Sequence, residues 1–286
     1  MTKDRWPELC TSVAMDDGLP TREVGHWTED KLFFWNRYLD ITTRAMVGHR
    51  AWPAGLVYVD LFAGPGICTL RGSGKRIPGS ALIAANAPKP FERILLCEKD
   101  PGFACACEQR VKTIVDPDRF QVFVGDCNDR VGRLSTEIPD QALTLAFIDP
   151  TGLHAHFETI RTLSQRGAVD LLILFADNHD IVRNVNLYEE QGSESNLDQV
   201  LGPESNWRDD WQRLTNRSRE NICQMFASAY KRQLESKLGY KEFGEETMRC
   251  ASRPLYRLIY ASKHERGLDF WQKITKKDAG GQMRLF

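Results

Sequence analysis

The sequence predicts an α/β fold in which one mostly parallel sheet, flanked by helices, is closed by a terminal antiparallel hairpin. Two observations carry this. Five apolar runs, at 56–61, 93–97, 120–124, 142–148 and 169–176, alternate with helical segments and each gives way to an acidic residue or polar turn. That alternation specifies parallel strands joined by helical crossovers. Further on, 246–252 and 255–262 alternate in character and meet at Arg253-Pro254, the pattern of two antiparallel strands. A chain of 286 residues accommodates one such domain with appendages.

Taken in order, residues 1–20 are polar and turn-rich and predict a loosely held extension. Residues 27–46 place Leu32, Trp35, Leu39 and Thr42 or Thr43 at helical spacing, with Thr28 as the expected capped start. The first strand, 56–61, is followed by a glycine-rich basic loop, Ile67 to Gly79, and by a helix opening at Ser80. The second strand ends in Glu98, the third in Gly125-Asp126-Cys127, the fourth in Asp149-Pro150-Thr151-Gly152 and the fifth in Asp177-Asn178-His179-Asp180. Helices are expected from about 101 to 114 and from 127 to about 138. Residues 178–216 are rich in Asn, Asp, Glu, Ser and Gly and predict an excursion away from the sheet. A helix over 221–238 precedes the hairpin, and one over 265–277 follows it. The expected organisation is an extension and leading helix (1–50), a core (51–178), a helical insertion after the fifth strand (179–240), and a hairpin and helix completing the core (241–286).

Composition bounds the function. A formal charge of −1 argues against binding nucleic acid by bulk charge. No apolar run approaches the roughly 20 residues that cross a bilayer, and the amino terminus has no signal-peptide core, so a cytoplasmic protein without a membrane partner is expected. The eight cysteines are then expected as reduced thiols. Cys105-Ala106-Cys107 has no second pair at zinc spacing, so no metal is expected.

The strand ends carry the chemistry. Ligands in open α/β sheets bind outside the strands' carboxyl ends. Asp60-Leu61-Phe62-Ala63-Gly64-Pro65-Gly66 is not the dinucleotide fingerprint, because only two of its glycines are placed for it. Asp-x-Phe-x-Gly-x-Gly is how S-adenosylmethionine methyltransferases begin their cofactor site, which implies a Rossmann-like class I methyltransferase with a seven-stranded sheet. On that reading Asp60, Phe62, Ala63, Gly64 and Gly66 hold the methionine and sugar portions. Glu98, followed by Lys99, meets the ribose hydroxyls, Asp126 and Cys127 lie by the adenine edge, and Asp149 faces the transferred methyl. One acidic strand end is ordinarily a solvated turn or helix cap; four in successive strand ends form a constellation.

Further motifs give a resemblance. Gly25-x-Trp27-Thr28-x-x-Lys31-Leu32, the Asp60–Gly66 run, Gly79-Ser80, Phe147-Ile148-Asp149-Pro150-x-Gly152-Leu153, Asp180-Ile181-x-Arg183-Asn184 and Leu258–Ser262 with Lys263-His264-x-x-Gly267-Leu268 run along most of the chain. Together they resemble the three-Cys-motif partner family, whose members have a class I methyltransferase-like core. The resemblance implies a cysteine-motif protein as partner and does not supply the methyl acceptor. Where that family often has an aromatic residue, this chain has Thr151. The stack that base amino-methyltransferases use is thereby lost, although His154 or His156 offers a ring.

Several residues stay open between two roles. His154 and His179 follow the fourth and fifth strands, where a base near neutral pKa would take a proton from an O or N nucleophile; surface or capping roles compete. Arg71, Lys75 and Arg76 read equally as a substrate-contacting lid and as a solvated loop, and the segment lacks the spacing of a P-loop. Lys31, on the leading helix, is a substrate-side candidate with a solvated face as its alternative. The expected function is methyl transfer from S-adenosylmethionine, oriented by Asp149, with RNA or DNA as substrate on the strength of the basic loop and of Arg249, Arg253, Arg257, Lys263 and Arg266. The alternatives are a binding module without turnover and a small-molecule methyltransferase.

Overall fold

The computed structural model describes residues 4–250 and 253–276. Residues 1–3 of the expected extension, 251–252 of the expected sixth strand, and 277–286 lie outside the described residues.

The chain opens with helix α1 (Trp6–Ser12) and short strand β1 (Arg22–Val24), then the long helix α2 (Trp27–Met46). The core strands are β2 (Leu56–Asp60), β5 (Arg93–Glu98), β6 (Phe120–Val124), β7 (Leu143–Ile148) and β8 (Ala168–Phe175). Between β2 and β5 lie β3 (Ile67–Leu70), β4 (Arg76–Pro78) and α3 (Ser80–Ala85). The other crossovers are α4 (Pro101–Val111), α5 (Cys127–Thr136) and α6 (Phe157–Ser164). After β8 come α7 (Val182–Glu190), α8 (Asn196–Leu201), α9 (Trp207–Arg213) and α10 (Arg219–Leu238). The chain returns as β9 (Glu242–Cys250), β10 (Arg253–Ser262) and α11 (Glu265–Thr275).

The principal sheet has seven strands in the order β6-β5-β2-β7-β8-β10-β9. The five core strands pair in parallel, and β10 runs antiparallel to both β8 and β9. This is the Rossmann-like, seven-stranded architecture with a terminal hairpin that the sequence predicts. Strands β2 and β7 are buried along their whole length, as their apolar runs require.

Helix α2 ties this sheet to the front of the molecule. Trp35, Tyr38 and Leu39 are buried on its inner face at helical spacing. The Trp35 indole donates to the Tyr58 hydroxyl (3.1 Å), which donates to Asp60 (3.0 Å). Tyr38 and Tyr260 both donate to the buried Asp170 at the start of β8 (2.8 and 3.0 Å). The expected cap of α2 is corrected: His26 holds the N-cap position without a side-chain bond, and Thr28 is the buried second residue of the helix.

Two further expectations are corrected. The basic loop 67–79 is a hairpin, β3 with β4, to which β1 adds in parallel as a third strand. The amino-terminal segment is docked and not loose. Asp17 accepts from Arg76 (2.8 Å) and Arg110 (2.7 Å), and Asp16 accepts from Arg76 (2.7 Å). Arg110 is 5% exposed and also donates to the carbonyls of Pro20 and Pro65. Those bonds hold the Asp17 carboxyl far below the usual carboxylate range. Among the described residues, no helix is long and apolar enough to cross a membrane.

Candidate functional site

At the carboxyl ends of β2 and β7 a cavity of about 310 Å³ opens between α2, β1 and the turn after β2. That is the lower end of small-molecule site sizes. The turn Phe62–Gly66 forms one wall, and Gly64 and Gly66 there have φ of 62° and 86°, values that favour glycine. The sequence singled out both for this reason.

Asp149 and Lys31 face each other inside the cavity. The Lys31 ammonium lies 2.5 Å from Asp149 Oδ2, and Lys31 is only 5% exposed. Lysine is rarely buried to that degree without a partner. The helical spacing that turns Trp35 and Leu39 toward the sheet also turns Lys31 inward, one turn earlier. Its expected alternative, a solvated face, is therefore corrected: Lys31 belongs to the cavity. Thr151 and Arg71 also line it, as does His179, whose ring stacks on Tyr256 (centroids 5.4 Å apart, 24° between planes). Arg22, Trp27 and Tyr256 complete the mouth. Neither Arg22 nor Tyr256 carries a sequence signal of its own: Arg22 lies on a three-residue strand without an apolar pattern, and nothing in the strand expected over 255–262 marks Tyr256 as facing a site.

The other acidic strand ends share the same edge of the sheet but not the cavity. Asp60 is fully buried and holds the turn from below, accepting from the Phe62 backbone (3.1 Å) and from Tyr58. Burial pushes its carboxyl up to about 7, against the bonds from Ser80, Phe62 and Tyr58. Glu98 accepts from the backbones of Gly64 (2.7 Å) and Asp100 (2.9 Å) and from Arg22 (3.4 Å). Arg22 also lies over the Phe103 ring, 5.3 Å from its centroid, and so roofs the Glu98 end of the rim. Asp126 caps α5 through Asn128 and pairs with Lys99 (3.1 Å). Those bonds outweigh desolvation and hold Asp126 below its ordinary value. Cys127 is packed in the core, its thiol raised to about 12 by burial.

Four expected placements are corrected. Lys75 pairs with Glu29 (2.5 Å) and Arg76 with Asp16 and Asp17, so the hairpin turns both away from the cavity. His154 is exposed and does not line it; the His154 carbonyl accepts from Asn128, which fixes the loop after β7 elsewhere. The basic residues of the last strand and helix do not form one surface. Arg257 is spent on the buried Asp177 (2.9 Å) and on Glu245. Lys263 and Arg266 line a separate cavity of about 380 Å³ that includes Leu143 and Ala168, the first residues of β7 and β8, and so lies at the opposite edge of the sheet.

No family model matches the chain, so the resemblance to the three-Cys-motif partner family stands on its motifs alone. No curated protein matches it either. Among solved structures, the chain is similar to the O-methyltransferase from Bacillus cereus in complex with SAH, at 10% identity over 92% of this chain and 93% of that one, TM-score 0.46. It is similar to cofactor-bound Rv0187 from MTB at 13% identity, over 92% and 91%, TM-score 0.45. It is similar to the O-methyltransferase TomG from Streptomyces achromogenes in complex with SAM at 10% identity, over 92% and 100%, TM-score 0.43.

Proposed function

We propose that the protein is a methyltransferase that uses S-adenosylmethionine, with Asp149 and Lys31 at the point of transfer. The observation that carries the reading is the cavity itself: a glycine turn at the end of β2 facing a paired carboxylate at the end of β7, under a buried lysine. The residues present fit the cofactor. Phe62 to Gly66 would hold its methionine portion, where two glycines keep side chains out of the way. Glu98 would hold the ribose hydroxyls once Arg22, 30% exposed in its side chain, moves aside. Asp126 and Lys99 stand beyond it.

Bound there, the cofactor supplies an electrophilic methyl on a sulfonium, which the acceptor's lone pair takes while sulfur keeps the S–C electron pair. The protein's share is orientation and exclusion of water. Lys31 fixes Asp149 through Oδ2. Oδ1 is then the oxygen that accepts from the acceptor's N–H or O–H and draws its proton away as the bond forms. His179, exposed at the mouth, passes that proton to solvent.

An RNA or DNA acceptor draws support from Arg71 at the mouth, where it also pairs with Glu23 (3.5 Å); Lys75, Arg76 and Arg257 are paired, and Lys263 and Arg266 line the cavity at the opposite edge. A second reading, a cofactor-binding scaffold that serves a partner protein without turnover, is favoured by the Arg22 roof over Glu98. Calorimetry with S-adenosylmethionine separates the outcomes. Binding by wild type is expected, weakened about 10- to 100-fold in Glu98→Ala, the loss of one charged hydrogen-bonding partner. No binding by wild type removes the cofactor and the enzyme together. With binding established, tritiated-methyl transfer into total RNA, DNA and small-molecule extract decides turnover, and label in none of them leaves the scaffold.

A further inference from the structure

The methyl acceptor itself is chemically constrained by the aromatic side of the cavity that holds Asp149. Resting on the methyltransferase reading for where transfer occurs, we propose that Trp27, Tyr256 and His179 form an acceptor subsite for a planar aromatic ring that carries an amino or hydroxyl group.

The three rings run along one side of the cavity. Trp27 and Tyr256 have centroids 6.4 Å apart with 36° between planes, and Tyr256 stacks on His179. All three line the cavity that holds Lys31, Asp149 and Thr151. A core cluster would bury these faces in neighbouring side chains. Here Trp27 is half-buried and His179 exposed, so part of each of these two rings is open to the cavity, while the buried Tyr256 lies against both and steadies them. The wall is held in place from behind. A Cβ on Gly25 would lie 1.9 Å from the Trp27 ring, so the chain has given up a side chain there to let the indole settle over the mouth. His179 sits within a wide turn, 177–181, whose next residue, Asp180, accepts from Asn184 (2.9 Å) and Tyr188 (2.6 Å). Tyr256 belongs to β10, which the sheet anchors on both sides. The ring missing at Thr151 is thus supplied from three other elements. Trp27 and His179 offer π-faces to a planar ligand, with Tyr256 behind them. The Asp149 carboxylate in the same cavity selects the ring's N–H or O–H edge.

Ligand-observed NMR with three small probes tests this: cytosine, catechol and cyclohexanol, against wild type, Tyr256→Leu and His179→Ala. Tyr256→Leu keeps apolar volume without the face, and His179→Ala removes an exposed ring that the fold does not need. Cytosine, catechol or both are expected to bind wild type and cyclohexanol is not. His179→Ala is expected to weaken the planar probes about fivefold to hundredfold and Tyr256→Leu, which removes the ring behind it, by less. Binding of cyclohexanol as tight as that of the planar probes overturns the proposal, as does binding of none, or planar binding unchanged in both variants. Cytosine against catechol tells a nucleobase from a phenol. Calorimetry with S-adenosylmethionine on the same samples keeps the two readings apart: planar binding without cofactor binding sinks the methyltransferase and leaves the aromatic subsite, and the reverse result does the opposite.

Discussion

Two halves of one sheet edge behave differently. At β2 and β7 the strand ends look into a cavity, with an ion pair inside it and glycine backbone beside it. At β5 and β6 the acidic ends are already satisfied: Glu98 by backbone and by Arg22, Asp126 by its own helix and Lys99. The sequence motif is the same in both halves, an apolar strand ending in a carboxylate. What differs is the partner that tertiary structure brings. A buried lysine inside a cavity leaves a carboxylate oxygen for a ligand, whereas a cap or a roof consumes both. The acidic strand end is therefore a place, and its neighbours decide whether it is a site.

The largest expected effect breaks the open half. Asp149→Asn is expected to lower methyl transfer by about 10²- to 10⁴-fold, the range for a positioned acid–base group, with cofactor affinity within a few-fold of wild type. The substitution also strands the Lys31 ammonium, which costs stability by itself. The double variant Lys31→Met with Asp149→Asn removes that term. Single-turnover transfer in both backgrounds is the measurement. Transfer restored in the double variant would make Asp149 a mere counter-ion of Lys31.

Next in size is a difference beneath the rim. Asp60 lies under the open half, and its carboxyl is raised to about 7 by burial. The folded state binds the proton more tightly than the unfolded chain, where an aspartate titrates near 3.9. Its effect on stability is therefore nil well below pH 4 and grows unfavourable as pH rises toward 7. It reaches about 4 kcal/mol above that, as an order of magnitude. Asp60→Asn carries no such charge. Urea midpoints measured from pH 5 to 8 are expected to fall for wild type relative to this variant as pH rises. Parallel curves would mean that Asp60 is ionised throughout in the folded protein.

These two carboxylates also show what the sequence made legible. Buried parallel strands must be apolar to their ends, so the first polar residue marks the edge where ligands meet the sheet, and Asp60, Glu98, Asp126 and Asp149 were all placed there. The leading helix was equally plain, because Leu32, Trp35 and Leu39 recur at a period only a helix satisfies. Pairing over long separations was not legible. Gly72 and Gly74 make 67–79 look like a loop, yet Ile67–Thr69 and Arg76–Pro78 find each other and β1 as strands. Arg76 looks like a phosphate contact until Asp16 and Asp17, some 60 residues earlier, claim it. Tyr256 enters the cavity only because β10 inserts between β8 and β9, and alternation along that strand sends Arg257 the other way, to Asp177.

The smallest effect sharpens the closed half. Arg22 holds Glu98 at 3.4 Å and covers Phe103, two weak contacts of the order of 1 kcal/mol each or less. If ribose hydroxyls are to reach Glu98, those contacts must open first, and the apparent affinity is reduced by the fraction of molecules that are open. Arg22→Ala removes the roof and leaves the Gly64 and Asp100 bonds that orient the carboxylate. Apparent cofactor affinity is then expected to rise about threefold to tenfold, chiefly in the association rate, as read by stopped-flow mixing with S-adenosylmethionine. A weaker complex would reverse the assignment: Arg22 would be a ligand of the cofactor, and the closed half of the rim would be closed by the very group that binds there.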